Sequence, residues 1–126
     1  MSETNGKQIL IVDDSKDIVE ALSCRFKKYG TIESSANGCE ALVKITMNYF
    51  DAIISDVSMP VMDGIEFYME ATKIDPDINH RFLFYSGFVT KAHEIFFMRN
   101  NVSFVHKLSA IEDIEISVQK TLNESI

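Results

Sequence analysis

Carboxylates, a hydroxyl and an amine follow the apolar runs of this chain. Asp13-Asp14 comes after the first, Asp56 after the third, Ser86 after the fourth and Lys107 after the fifth. If these runs are parallel strands of one sheet, their carboxyl ends share an edge and the side chains can converge. Three carboxylates gathered there raise one another's pKa, and they stay ionised together only beside a compensating cation. Mg2+ suits them, because it takes a few carboxylates, keeps several waters and usually shares a phosphate oxygen. Lys107 adds a point charge suited to phosphate, and the Ser86 hydroxyl adds a hydrogen bond. A carboxylate that attacks phosphorus forms an acyl phosphate, a transfer governed by in-line positioning and charge neutralisation. Singly, each residue also has a plain structural role: Asp14 or Ser15 as a helix cap, Asp56 and Ser86 in turns, Lys107 as a solvated strand end. Their joint occurrence at successive strand ends points to chemistry.

The elements that must position them are legible from periodicity. Lys7–Val12 is a continuous apolar run after a polar start, as a central parallel strand requires. Ile18, Leu22, Phe26 and Tyr29 then recur at helical spacing, with Ser15 as N-cap, Asp17 in the first turn and Gly30 as the C-terminal stop. Thr31–Ser35 is half polar, as an edge strand is. Asn37-Gly38-Cys39-Glu40 has the form of a capping box that opens a helix through Met47, with Leu42 and Ile45 facing the core. Ala52-Ile53-Ile54 reads as a short buried strand, ended by Asp56 and broken at Met59-Pro60. Ile65–Asp75 reads as a third helix stopped by Pro76, and Arg81–Tyr85 as an aromatic strand ending on Ser86-Gly87. Val89–Arg99 forms a fourth helix closed by Asn100-Asn101, and Val102–His106 a fifth strand. The last helix, Ser109–Leu122, carries Ile111, Ile114, Val118 and Leu122 on one stripe. Strands alternating with helices predict βαβ crossovers and a parallel sheet covered on both faces.

Composition narrows the function. The 126 residues are 46% hydrophobic and 25% charged, an ordinary balance for one folded domain, residues 1–126, with residues 1–6 as a flexible tail. A net charge of -7 argues against direct nucleic-acid binding, which needs clustered Lys and Arg. No apolar run reaches bilayer length and the first residues are polar, so no membrane insertion and a cytoplasmic location are expected. Cys24 and Cys39 lie on different predicted helices without a CxxC pair and read as reduced, packed thiols. His80, His93 and His106 lack metal-ligand spacing and read as surface or strand-end residues.

With these residues in place, the chain resembles the receiver domain of two-component response regulators, of the chemotaxis-regulator type. Asp13-Asp14, Asp56, Met59-Pro60, Asp63-Gly64, Ser86 and Lys107 match its pattern in order and approximate spacing over nearly all of residues 7–123. The resemblance implies a flavodoxin-like, doubly wound five-stranded parallel sheet of order 2-1-3-4-5 with five helices. It implies that Asp56 accepts a phosphoryl group from a histidine kinase or histidine phosphotransfer protein. Asp14 would bind Mg2+ directly and Asp13 mainly through water, with Asp56 and the carbonyl of Ser58 completing the protein ligands. Lys107 and Ser86 would grip the phosphoryl oxygens. Ser86 and Phe104 would form the switch, remodelling the surface of the fourth helix, fifth strand and last helix for an output domain or protein target.

Some residues depart from that pattern. Leu108 follows Lys107 where the family usually has proline, and a cis bond before a non-proline residue costs several kcal/mol, so a trans bond is expected. Phe104 lacks the hydroxyl of the commoner tyrosine. Ser58 and Phe88 lie beside the site, where bulk affects water access. Phe96, Phe97 and Met98 are consecutive and cannot all face the core, so at least one is expected at the surface; Ile116 also lies off its helix's stripe. The chain reads as a signalling module rather than an enzyme. It is expected either to stand alone or to come from a longer regulator or hybrid kinase. The competing readings are a phosphorylation-independent interaction domain and a Mg2+-dependent phosphohydrolase; the second lacks a visible Asp-x-Asp motif and substrate cap.

Overall fold

A computed structural model describes residues 6–107, 109 and 111–124. The expected tail (apart from Gly6) and the Lys107–Leu108 bond lie outside the described residues. The first strand, β1 (Lys7–Val12), pairs in parallel with β2 (Gly30–Ser35) on one side and β3 (Ala52–Ser55) on the other. Beyond β3 lie β4 (Phe82–Ser86) and then β5 (Ser103–His106), giving a parallel sheet of order β2-β1-β3-β4-β5. Its helices are α1 (Lys16–Phe26), α2 (Gly38–Met47), α3 (Gly64–Ile74), α4 (Lys91–Asn100) and α5 (Ile111–Glu124). The flavodoxin-like doubly wound order expected above is the one observed.

Strand alternation sorts the apolar side chains into two cores. Leu10, Val12, Ile53, Phe82 and Phe84 face α2, α3 and α4, where Ala41, Phe67, Tyr68, Ala71 and Phe97 meet them. Ile9, Ile11, Ala52, Ile54, Leu83 and Tyr85 face the other way, onto Leu22 and Phe26 of α1 and Ile114, Val118 and Leu122 of α5. Every residue of β3 and β4 is buried, which is why those strands read as nearly unbroken apolar runs.

Side chains set the helix starts. Ser15 caps α1 by accepting from the Ile18 amide, and Asn37 caps α2 from Glu40. Asp63 with Glu66, and Thr90 with His93, form reciprocal capping boxes at α3 and α4. Several elements differ from the sequence expectation. Glu40 reaches back to the Ala36 amide rather than to Asn37, so the box at α2 is incomplete. The fourth helix begins at Lys91, not Val89, because Thr90 takes the cap; His93 is thereby a capping residue. Asn101 supplies the left-handed turn after it, with φ 53°. Gly30 closes the 3-10 turn Lys27–Tyr29 in which α1 ends, its amide donating to the Lys27 carbonyl, but it is extended and at the same time begins β2. A Cβ at Gly30 would stand 2.2 Å from the Lys7 carbonyl oxygen, so it is the close strand approach that needs glycine. Arg81 sits in the 3-10 turn Ile78–Arg81 before β4, buried, where it donates to the Phe50 carbonyl at 2.6 Å and pairs with Asp75. Both cysteines are free but exposed rather than packed.

Two contacts generate predictions. The start of α3 presses on the strand end that carries Asp56: a Cβ on Gly64 would lie 2.0 Å from the Asp56 carbonyl oxygen. Gly64→Ala is expected to lower unfolding free energy by about 2 kcal/mol, the scale of overpacking a tight site, as read by urea denaturation. On α5, Glu115 accepts from Arg25 at 2.7 Å and from Tyr29, and pairs with Lys28 at 2.9 Å, tying α5 to the end of α1. The hydrogen bonds from Tyr29, Lys28 and Arg25 hold the Glu115 carboxyl at about 2, below its usual 4.5. Burial, then the bond to Glu115, pushes Tyr29 up to about 12. The unfolded chain therefore binds the extra proton first, so the clamp's contribution is full above about pH 4.5 and is lost as pH falls towards 2. Melting curves of Glu115→Gln are expected to show a flatter acid limb than wild type across that window.

Candidate functional site

Main-chain bonds carry the ladder one step past the strands and fix the site residues. The Asp13 amide donates to the Ser35 carbonyl at 3.0 Å, that of Asp56 to Val12 at 2.9 Å, and that of Lys107 to Ser86 at 2.9 Å. By alternation Asp13 follows Ile11, Asp56 follows Ile54 and Lys107 follows Val105, so all three emerge on the α1/α5 face just beyond its core. One carboxylate oxygen from each of Asp13, Asp14 and Asp56 lies within 4.8 Å of the others. Lys107 bridges two of them, its ammonium 3.0 Å from Asp56 Oδ2 and 3.1 Å from Asp13 Oδ2.

The remaining oxygens have backbone donors. Asp13 Oδ1 accepts from the Ser15 amide at 2.9 Å, and Asp56 Oδ1 from Val57 at 2.7 Å, with a longer contact from Ser58 at 3.4 Å. Asp13 Oδ2 is different: it is buried, and although Lys107 is near enough for ion pairing, no donor among the described residues is aligned to hydrogen-bond it. Burial raises the Asp13 pKa; the Ser15 amide and Lys107 oppose this, and the Asp56 charge adds to it. Burial alone would lower Lys107, but its hydrogen bond to Asp56, its ion pair with Asp13 and the charges of both outweigh it and leave the ammonium above its ordinary value. Asp13 and Asp56 are buried and Asp14 is exposed, so the cluster opens at one side. There a groove of about 510 Å³, lined in part by Asp14, Lys16, Val19, Glu20 and Glu40, leads away over the ends of β1 and β2.

This donor set fits a small hard cation. Three carboxylates face one ammonium, all donors are oxygen, and a buried oxygen is left without a hydrogen bond. Ser86 and Phe104, expected from the resemblance to form a switch, are placed otherwise. Ser86 is buried, but its hydroxyl donates to the Phe88 carbonyl at 3.1 Å and contacts the Phe88 amide at 3.4 Å, turned into the loop before α4. Phe104 shares the face of Phe84 and stacks on Phe97 at 5.2 Å, on the opposite side of the sheet from Asp56 and Lys107. The Ser58 side chain is exposed, as is Phe88, at 71%.

Tyr85 was missed by sequence reasoning, which treated it as a strand former. Its ring centre lies 5.7 Å from the Lys107 ammonium. Its one sequence signal is an aromatic residue immediately before Ser86, which strand alternation places on the lysine's face.

The fold and the acid–lysine cluster define a doubly wound α/β domain with its polar site at the carboxyl rim of the sheet. The chain belongs to the response regulator receiver domain family, whose model matches residues 9–119. It is 34% identical over 87 residues to the response regulator receiver protein CpdR of Brucella abortus, covering 68% of this chain and 71% of that one. It is 31% identical over 71 residues to the C4-dicarboxylate transport transcriptional regulatory protein DctD of Rhizobium meliloti, of which the match spans 15% against 56% of this chain. The receiver domain of a CheY-like response regulator from Methanospirillum hungatei superposes with a TM-score of 0.85 at 24% identity, over 94% of this chain and 95% of that one. The protein is thus a receiver domain of the two-component response regulator class, a signalling module.

A prediction follows from the raised Asp13 carboxyl. The folded chain holds that proton more tightly than the unfolded chain, so Asp13 subtracts stability as pH rises past its ordinary 3.8. In metal-free buffer at neutral pH, Asp13→Asn is expected to raise the denaturation midpoint above wild type, an advantage that shrinks as pH falls through the raised Asp13 value and is gone below its ordinary 3.8.

Proposed function

We propose that Asp56 is the phosphoryl acceptor of this receiver and that residues 1–126 act as one cytoplasmic switch. The meeting of Asp13, Asp14, Asp56 and Lys107 at one rim carries the reading. The donor is a phospho-histidine on a histidine kinase or phosphotransfer protein. A carboxylate oxygen of Asp56 forms a bond to phosphorus as the P–N bond breaks. The donor nitrogen keeps the electron pair and, with its second ring nitrogen protonated, leaves as neutral imidazole.

Asp13, Asp14 and Asp56, with the Ser58 carbonyl, are the groups that would hold Mg2+. That ion, when bound, neutralises charge developing on the phosphoryl oxygens. Lys107 stays protonated and moves from pairing Asp56 to pairing a phosphoryl oxygen. The Ser86 hydroxyl leaves Phe88, to which it is held by neutral hydrogen bonds, for a charged acceptor. Phe104 then leaves its stack on Phe97, and the surface of α4, β5 and α5 shifts in population toward the form that an output domain or protein target binds. Among the described residues no helix is long and apolar enough to cross a membrane, which accords with this setting.

Acetyl phosphate with Mg2+ is expected to add the mass of one phosphoryl group to the intact chain. The adduct should be removed by hydroxylamine and be absent from Asp56→Asn and from samples in EDTA. A wild-type chain that gains no adduct and takes up no fluoroberyllate would overturn the reading. It would leave an interaction domain whose partner binding ignores phosphodonor.

A further inference from the structure

We infer that Tyr85 is a positioning residue whose ring holds the Lys107 ammonium on Asp56 and Asp13, a role that deepens the phosphoryl-acceptor reading and rests on it. Three consecutive residues, the last two of β4 and Gly87 after it, flank the lysine along its length. The Ser86 carbonyl accepts from its amide at 2.9 Å. Gly87 lies against its stem, where a Cβ would stand 3.8 Å from Lys107 Cβ and Cδ. The Tyr85 ring lies 5.7 Å from its ammonium, within the range at which a ring face attracts a cation.

The placement follows from register. Ser55 pairs with Phe84, so the next step sets Asp56 beside Tyr85, on the same face as Asp13 and Lys107. A lysine is a flexible four-carbon stem with a strongly hydrated head, and this side chain is 21% exposed, so solvent competes for it. Tyr85, only 6% exposed, closes one side of the head with a rigid ring in place of water. An aliphatic residue would fill the same space without attracting the cation.

The experiment uses the full chain, with Tyr85→Phe keeping the ring and Tyr85→Ile and Tyr85→Leu removing it; Ile suits a strand, and Leu stands in if Ile does not fold. In metal-free protein, the Lys107 ammonium proton signal, assigned by its loss in Lys107→Met, is expected upfield in wild type and Tyr85→Phe and unshifted in the aliphatic variants. With Mg2+, fluoroberyllate is expected to bind the aliphatic variants about threefold to tenfold more weakly, and Tyr85→Phe within roughly twofold of wild type. Aliphatic variants that keep both the shift and the affinity would overturn the inference. So would a Tyr85→Phe variant as impaired as they are, since the hydroxyl would then carry the effect. If wild type itself takes up no fluoroberyllate, the acceptor reading fails, and the ammonium shift alone decides whether the ring holds the lysine.

Discussion

Carboxylate repulsion at the rim of the sheet is the constraint around which the structure is arranged. Asp13 and Asp56 are buried beside each other with Asp14 at the opening, and one ammonium stands against the three. Left to itself such a cluster would drift apart or protonate. It stays together because the two buried acids, Asp13 and Asp56, are anchored to backbone that cannot move without breaking the ladder. The amides of Asp13 and Asp56 extend the strand pairing, and Gly64 packs against the Asp56 carbonyl. Two apolar cores on either side of the sheet supply the stability that such a site subtracts.

The same strand alternation that sorts the cores also separates chemistry from response. Asp13, Asp56 and Lys107 continue the α1/α5 face, whereas Ser86 and Phe104 continue the face of Phe84, which α4 covers. A phosphoryl group on Asp56 therefore reaches the α4 side only over the top of the sheet, at the rim where Ser86 ends β4. In the proposed switch this makes Ser86 the go-between, and its bonding to Phe88 matters for that reason. The hydroxyl already holds the backbone of the loop that leads into α4, so drawing it toward the acids pulls directly on that loop. The resting state is then defined by a pair of neutral hydrogen bonds on one side and a ring stack on the other.

Much of this was legible in the sequence because its signals are local. Five apolar runs ending in polar residues gave the sheet, and parallel topology required their ends to meet, so Asp13, Asp14, Asp56 and Lys107 converged as expected. Ser15 and Asn37 act at helix starts through bonds to residues three positions on. What was misread depends on distant partners. Gly30 looked like a helix stop, yet its reason is the Lys7 carbonyl across the sheet. Arg81 looked like part of a strand, yet its guanidinium is held by Phe50 and Asp75. The thiols of Cys24 and Cys39 looked packed because cysteine is among the residues most often buried, a tendency that says nothing about which side of a given helix it occupies.

The missing hydroxyl on Phe104 bears on how the switch is held. A tyrosine at this position would offer an inward ring a hydroxyl for hydrogen bonding. Here both positions of the ring can be stabilised only by packing. In the described state that packing is considerable: Phe104 lies on Phe97 at 17° between planes, and Phe97 in turn lies on Phe84 at 4.9 Å. An inward movement gives up one member of this stack and receives no polar contact in exchange. On the proposed reading, the charge added at Asp56 then acts through Ser86 and the α4 loop rather than through a bond to the ring. The balance between the two states falls to α4, whose exposed Ile95 and Met98 leave it only partly committed to the core.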